Sequence, residues 1–197
     1  MWSKVYSVGH SVKSMDDFIW LIENYNINVI VDVRSFPYSK IVPWFNREKL
    51  EASLKSRKIL YGFMGDVLGG RWDEYLSEGG IVDYTKVMED ERFVNGIKRI
   101  LNGIKQGYIV CLMCSEADPR KCHRSMLIGR YLLSRYNVDV KHILDESNLL
   151  LQSQIVDEIL KKYSKGGCDL FMSNEDILNY AYNLEAKKVA YKAEKKR

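Results

Sequence analysis

Four short runs of apolar, mostly β-branched residues, Lys4 to Val8, Asn28 to Val33, Tyr108 to Met113 and Val138 to Leu144, alternate along this chain with segments of helical periodicity. Such alternation leaves few folding options, because each strand must be followed by an element that crosses back over the sheet. The expected class is α/β, a mostly parallel sheet with crossover helices. At 197 residues, 46% of them hydrophobic and 28% charged, the chain is long enough for one such core and short for two. We therefore expect a single α/β domain over 1–165 and a C-terminal helix with a basic tail over 166–197, hinged at Gly166-Gly167.

The helices carry start signals. Ser14 precedes Met15-Asp16-Asp17, and Phe18, Leu21, Ile22 and Tyr25 follow at helical spacing. Asn46 is placed to cap a helix through about Arg57, and Ile59 to Tyr61 reads as a short strand. Asp83 to Lys105 reads as one helix with Val87, Phe93, Ile97, Ile100 and Ile104 on its apolar face. Leu149 to Tyr163 reads as the helix after the fourth strand, and Ser173 to Asp176 caps a last one. The sum is a Rossmann-like, three-layer arrangement with a C-terminal helical appendage.

Charge and cysteine usage narrow the function classes. The net charge is +4, with Lys187, Lys188, Lys192, Lys195, Lys196 and Arg197 crowded at the end, so the body is close to neutral. A terminal charge run is usually solvated, and a nucleic-acid role for the tail is the lesser expectation. No segment approaches the roughly 20 apolar residues of a membrane span, and the N-terminus lacks a secretion signal. We expect a cytoplasmic protein with no membrane partner, in which Cys111, Cys114, Cys122 and Cys168 are reduced.

In a parallel sheet all carboxyl ends of the strands lie on one edge, where ligands usually bind. Here those ends are Gly9-His10-Ser11, Asp32-Val33-Arg34-Ser35, Cys114-Ser115-Glu116 and His142 with Asp145. His10 is a candidate acid or base, and Gly9 can take a positive φ and bring backbone amides close to a ligand. Asp32 and Arg34 alternate with valines on a buried strand and are expected to be paired or aimed into a pocket. Arg71, on the Leu68-Gly69-Gly70 turn, and Arg124 are further candidates for holding an anion. The segment Cys114 to Arg124 joins a strand to a helix whose N-terminus faces the loop, which suits an anion too. Glu116 and Asp118 instead offer partners for Arg124 and Arg120.

The cysteines admit several readings. Cys114 to Arg120 has the C-x5-R spacing of cysteine phosphatases, yet Glu116 and Asp118 would repel a dianion and no glycine eases its approach. Cys111, Cys114, Cys122 and His123 are four potential metal ligands. In a strand, however, Cys111 and Cys114 point to opposite faces, and Cys122 and His123 are adjacent rather than spaced. No metal or other cofactor is expected. Cys122, beside Lys121, His123 and Arg124, is the candidate for a depressed pKa, with Cys114 as second thiol. Tyr38, Trp44, Phe45, Tyr61, Phe63, Trp72 and Tyr75 cluster around the Pro37 to Pro43 loop, as a small core under it or as a stacking lid.

Taken in order, Gly9 to Ser11, Asp32 to Pro37, Leu68 to Arg71, Cys114 to Arg124 and His142 resemble the motif series of a family catalogued as domain of unknown function 488. The likeness runs from residue 4 to about 146, and Val31 to Ser35 alone is similar to the start of a rhodanese domain. The family resemblance implies a fold and a shared site, without assigning a chemistry. The expectation is a single-domain enzyme or binder holding an anionic small molecule, a nucleotide or other phosphate-bearing ligand. Its candidate catalytic residues are His10, Cys122, Cys114 and Glu116, and its candidate ligand-binding residues are Ser11, Asp32, Arg34, Ser35, Arg71, His123, Arg124 and His142. The competing expectation is a non-catalytic nucleic-acid-binding protein connected with DNA repair. The oligomeric state stays open.

Overall fold

The computed structural model describes residues 5–164 and 173–193. The Gly166-Gly167 hinge, Cys168 and the last basic residues lie outside the described residues.

Six strands form one sheet in the order β3-β2-β4-β1-β5-β6, with β1 Val5–Gly9, β2 Val29–Asp32, β3 Leu60–Phe63, β4 Val110–Cys114, β5 Lys141–Ile143 and β6 Leu149–Leu151. All pairings are parallel except β5 with β6. The helices are α1 Met15–Asn24, α2 Arg47–Ser56, α3 Gly65–Leu68, α4 Tyr84–Val87, α5 Glu91–Lys105, α6 Arg130–Tyr136, α7 Gln152–Ser164 and α8 Asn174–Val189. A wider π-helical stretch, Arg124–Gly129, runs straight into α6. No described helix is long and apolar enough to cross a membrane.

The period-2 alternation of the strands divides the interior into two cores. Ile30, Cys111 and Met113 pack beneath α1 and α2 with Phe18, Ile22, Leu50 and Leu54. Val31, Val110, Leu112 and Cys114 face the other way, onto Phe93, Ile97 and Ile100 of α5, Leu132 of α6 and Ile155 of α7. Cys111 and Cys114 thus lie on opposite faces, as the strand alternation requires.

Three sequence expectations need correction. The helix expected over Asp83 to Lys105 is two, because the Asp90 carboxylate accepts from the Arg92 N–H at 2.7 Å and starts α5 afresh after a turn. Leu149–Leu151 is not helix but an added antiparallel strand, brought back on β5 by a turn in which Asp145 accepts from the Ser147 and Asn148 N–H groups. The Asn46 side chain does not cap α2; its Oδ1 accepts from the Ser39 N–H at 2.7 Å and holds the Pro37 to Pro43 loop instead.

The C-terminal helix α8 packs onto this core. Ala181, Tyr182 and Ala186 are buried in the same cluster as β4 and α5. The chain beyond it pairs Lys192 with Ile81, and the Val82 N–H donates to the Tyr191 carbonyl at 3.0 Å.

Candidate functional site

At the carboxyl edge of β2 and β4 lies a cleft of about 380 Å³ whose lining includes Arg34, Ser35, Phe36, Arg71, Tyr84, Glu116, Lys121 and Tyr191. Cys114, Cys122 and His123 line it as well, and the two thiols are almost wholly buried. A second cavity of about 360 Å³, lined by Thr85, Arg130, Tyr131 and Tyr182 among others, contains no thiol or imidazole.

The three reactive groups meet because the backbone turns sharply between them. Cys122 is extended, at φ −137° and ψ 144°, while His123 is helical, at φ −59° and ψ −25°. That change swings two consecutive side chains to one place, which an unbroken strand or helix would not do. His123 Nδ1 lies 3.8 Å from Cys114 Sγ and 3.7 Å from Cys122 Sγ. Its Nε2 donates to the Val33 carbonyl at 2.9 Å, which fixes the ring. The Gly69-Gly70 turn presses on the ring's other side, where a Cβ on residue 70 would lie 3.1 Å from His123 Cγ. The Arg71 N–H donates to Ser35 Oγ at 3.0 Å and ties this turn to the end of β2.

The thiols differ in ionisation. The Cys122 S–H donates to Cys114, and with the His123 and Arg124 charges nearby it holds Cys114 below the ordinary thiol range despite burial. Burial and that same donation push Cys122 up. Burial opposes charge on His123, but the Cys114 thiolate and the Val33 carbonyl outweigh it and raise its pKa. The pull toward the charged form thus falls on Cys114, while burial opposes it on Cys122.

Several candidates lie outside the cleft lining. Arg124 is fully buried beneath it: Nε donates to Ser7 Oγ, and the two terminal nitrogens donate to the Glu116 and Ala117 carbonyls. It binds the Cys114 loop through backbone, and not through the Glu116 carboxylate. Arg120 is held by Glu158 at 2.6 Å and by Asp118 at 3.4 Å. His142, also fully buried, lies between Ser7 Oγ at 2.6 Å and Gln152 Oε1 at 2.8 Å, and Gln152 donates on to Tyr182. Burial lowers the His142 pKa to about 3.

On the α1–α2 side, Asp32 and Arg34 form a fully enclosed pair at 2.6 Å, and Arg34 also donates to the Phe45 carbonyl. His10 stacks on Phe45 at 4.2 Å and donates from Nδ1 to the Ser11 carbonyl, leaving Nε2 to accept from Arg34 at 3.2 Å. Burial lowers its pKa, and the Arg34 charge adds to that, so the ring is neutral. The left-handed residue at this strand end is Ser11, at φ 49°. Gly9 is needed for close approach, since a Cβ there would sit 1.8 Å from the Glu116 carbonyl oxygen. Of the expected site residues, the fold brings Ser35, Arg34, Arg71, Cys114, Glu116, Cys122 and His123 to one cleft. His10, Ser11, Asp32, Arg124 and His142 are not in its lining. Tyr84 and Tyr191 are lining residues that no strand-end pattern indicated.

The motif segments thus form one continuous structural unit around the end of β4. A family model described as "Domain of unknown function DUF488" matches residues 14–131. The chain belongs to this family. The matched span of DUF488 contains the thiols and His123, the Asp32–Arg34 pair and the Gly69-Gly70 turn, and stops before α7 and α8. No curated protein and no solved structure matches the chain.

Proposed function

We propose that this DUF488 protein holds an anionic small molecule in the cleft at the carboxyl edge of the sheet, with a phosphate-bearing ligand such as a nucleotide as the class. The observation that carries the reading is the convergence of Arg71 and Lys121 on one cleft that also offers aromatic faces. Arg71 is more than half exposed; its contact with Asp73 at 3.2 Å is a surface ion pair, worth little and easily exchanged for a ligand oxygen. Phe36 is 75% exposed beside the cleft, and Arg71 lies over Tyr191 at 4.5 Å, so a planar base has rings to stack on. Glu116 is positioned to orient a donor group of the same ligand. A buried thiol pair requires a reducing compartment, which favours the cytoplasm.

Equilibrium dialysis against phosphate, mononucleotides and short oligonucleotides tests the reading. Mononucleotide binding weakened about tenfold or more by Arg71→Ala and by Lys121→Ala is the expected result. Binding confined to oligonucleotides and falling steeply with salt would replace it with the nucleic-acid alternative. No binding in either class would reject it.

A further inference from the structure

We propose that Cys114 Sγ, Cys122 Sγ and His123 Nδ1 form a three-ligand site for a thiophilic divalent cation, zinc being the best match, with one coordination position left open to the cleft. The three donor atoms all lie within 4.8 Å of one another. Metal–sulfur bonds of about 2.3 Å and a metal–nitrogen bond of about 2.0 Å, at tetrahedral angles, place sulfur and nitrogen about 3.5 Å apart. The observed sulfur–nitrogen separations are 3.8 and 3.7 Å, so His123 Nδ1 reaches each sulfur at metal-bridging range with shifts of a few tenths of an ångström.

The surroundings also match. A metal-bound histidine ordinarily donates its second ring N–H to a carbonyl or carboxylate, and here Nε2 donates to the Val33 carbonyl, directing Nδ1 at the sulfurs. Two thiolates neutralise a dication, so the filled centre buries no net charge. Two sulfurs and an imidazole select zinc over the oxygen-seeking magnesium and calcium.

The sequence objection to zinc was aimed at a four-ligand structural site. Cys111 indeed points into the opposite core, where its thiol reaches the Leu112 carbonyl. Three protein ligands with an open position is the pattern of zinc sites that act on a ligand, whereas closed sites of four ligands only brace a fold. The open position faces the cleft that Cys114, Cys122 and His123 share with Glu116 and Arg71. The inference does not depend on anion binding, since the metal is measured with no anion added.

The test uses the untagged full chain, purified under reductant, stripped with a chelator and checked for fold by circular dichroism. Cobalt(II) titration is expected to give one bound ion per chain, with sulfur-to-cobalt charge-transfer absorption and intense tetrahedral visible bands that zinc abolishes. Cys114→Ser, Cys122→Ser and His123→Gln are each expected to weaken binding by more than the roughly 10–100-fold that loss of an outer partner costs, while Cys111→Ala leaves it intact. Zinc is also expected to protect Cys114 and Cys122 of the unaltered protein from alkylation, read peptide by peptide, so the result stands even where a variant fails to fold. A folded, stripped protein that takes up no sulfur-bound cobalt would overturn the proposal. So would zinc protection that spares Cys114 and Cys122.

Discussion

At the scale of single residues, the buried polar groups divide into those that hold the fold and those that face the cleft. Arg34 and Asp32 belong first to the fold, with exposures of 4% and 0%. Replacing Arg34 with Ala removes the guanidinium and leaves the enclosed Asp32 carboxylate with the Tyr61 hydroxyl and the residue-34 backbone N–H as donors among the described residues. A loss of about 3–5 kcal/mol is expected in urea unfolding, and a loss under 1 kcal/mol would mean water reaches Asp32. His142 gives a prediction in pH. Its pKa falls from 6.5 in the unfolded chain to about 3 in the fold, so the unfolded chain takes up the proton first on acidification. The corresponding stability is complete above about pH 6.5 and is lost progressively as pH falls toward 3, on the order of 5 kcal/mol in all. Nitrogen NMR of the ring at about pH 5 is expected to report a neutral imidazole; a charged one there contradicts the burial argument. What sequence could not convey is this division: an arginine of the motif segments reads alike whether it faces the cleft, as Arg71 does, or a carbonyl cage, as Arg124 does.

At the scale of elements, the strands were legible because β-branched runs flanked by turn residues have few other uses in a chain of this kind. The errors fall where a local side-chain bond competes with periodicity. The apolar face running from Val87 to Ile104 reads as continuous, but Asp90 satisfies the first N–H groups of α5 and makes a new start cheaper than a continued turn. Asp90→Ala is expected to cost about 1–2 kcal/mol in thermal or urea unfolding, since the cap and the bonds to Arg92 and Tyr75 go together. β6 was hidden by its three consecutive leucines, which carry neither alternation nor length. The Gly69-Gly70 turn makes a sharper case. A methyl on residue 70 presses on the His123 ring, so Gly70→Ala is expected to lower metal or ligand affinity measured in the cleft more than it lowers stability, by about 1–3 kcal/mol if the ring cannot yield.

At the scale of the whole molecule, two networks run on opposite sides of one sheet and meet at the end of β4. On one side Ser7, His142, Gln152 and Tyr182 link β1 to α8 through consecutive hydrogen bonds. Tyr182→Ala is expected to destabilise the protein by about 3–5 kcal/mol, because it removes a buried ring and leaves the Gln152 amide N–H without its acceptor in the core. A loss below about 1 kcal/mol, measured by denaturant titration, would mean that α8 contributes little to the core. The sequence marked this last helix and its apolar face, since amphipathic spacing reports that a face is buried and not what it is buried against.

Translation proceeds from the amino end, and the ligating atoms of the candidate centre all belong to the chain up to His123, whereas Val189 and Tyr191 close the cleft from far downstream. Every strand of the sheet and both thiols are therefore synthesised before the wall that shelters them. Until that last helix docks, the sulfur pair stands open to the oxidants of its surroundings.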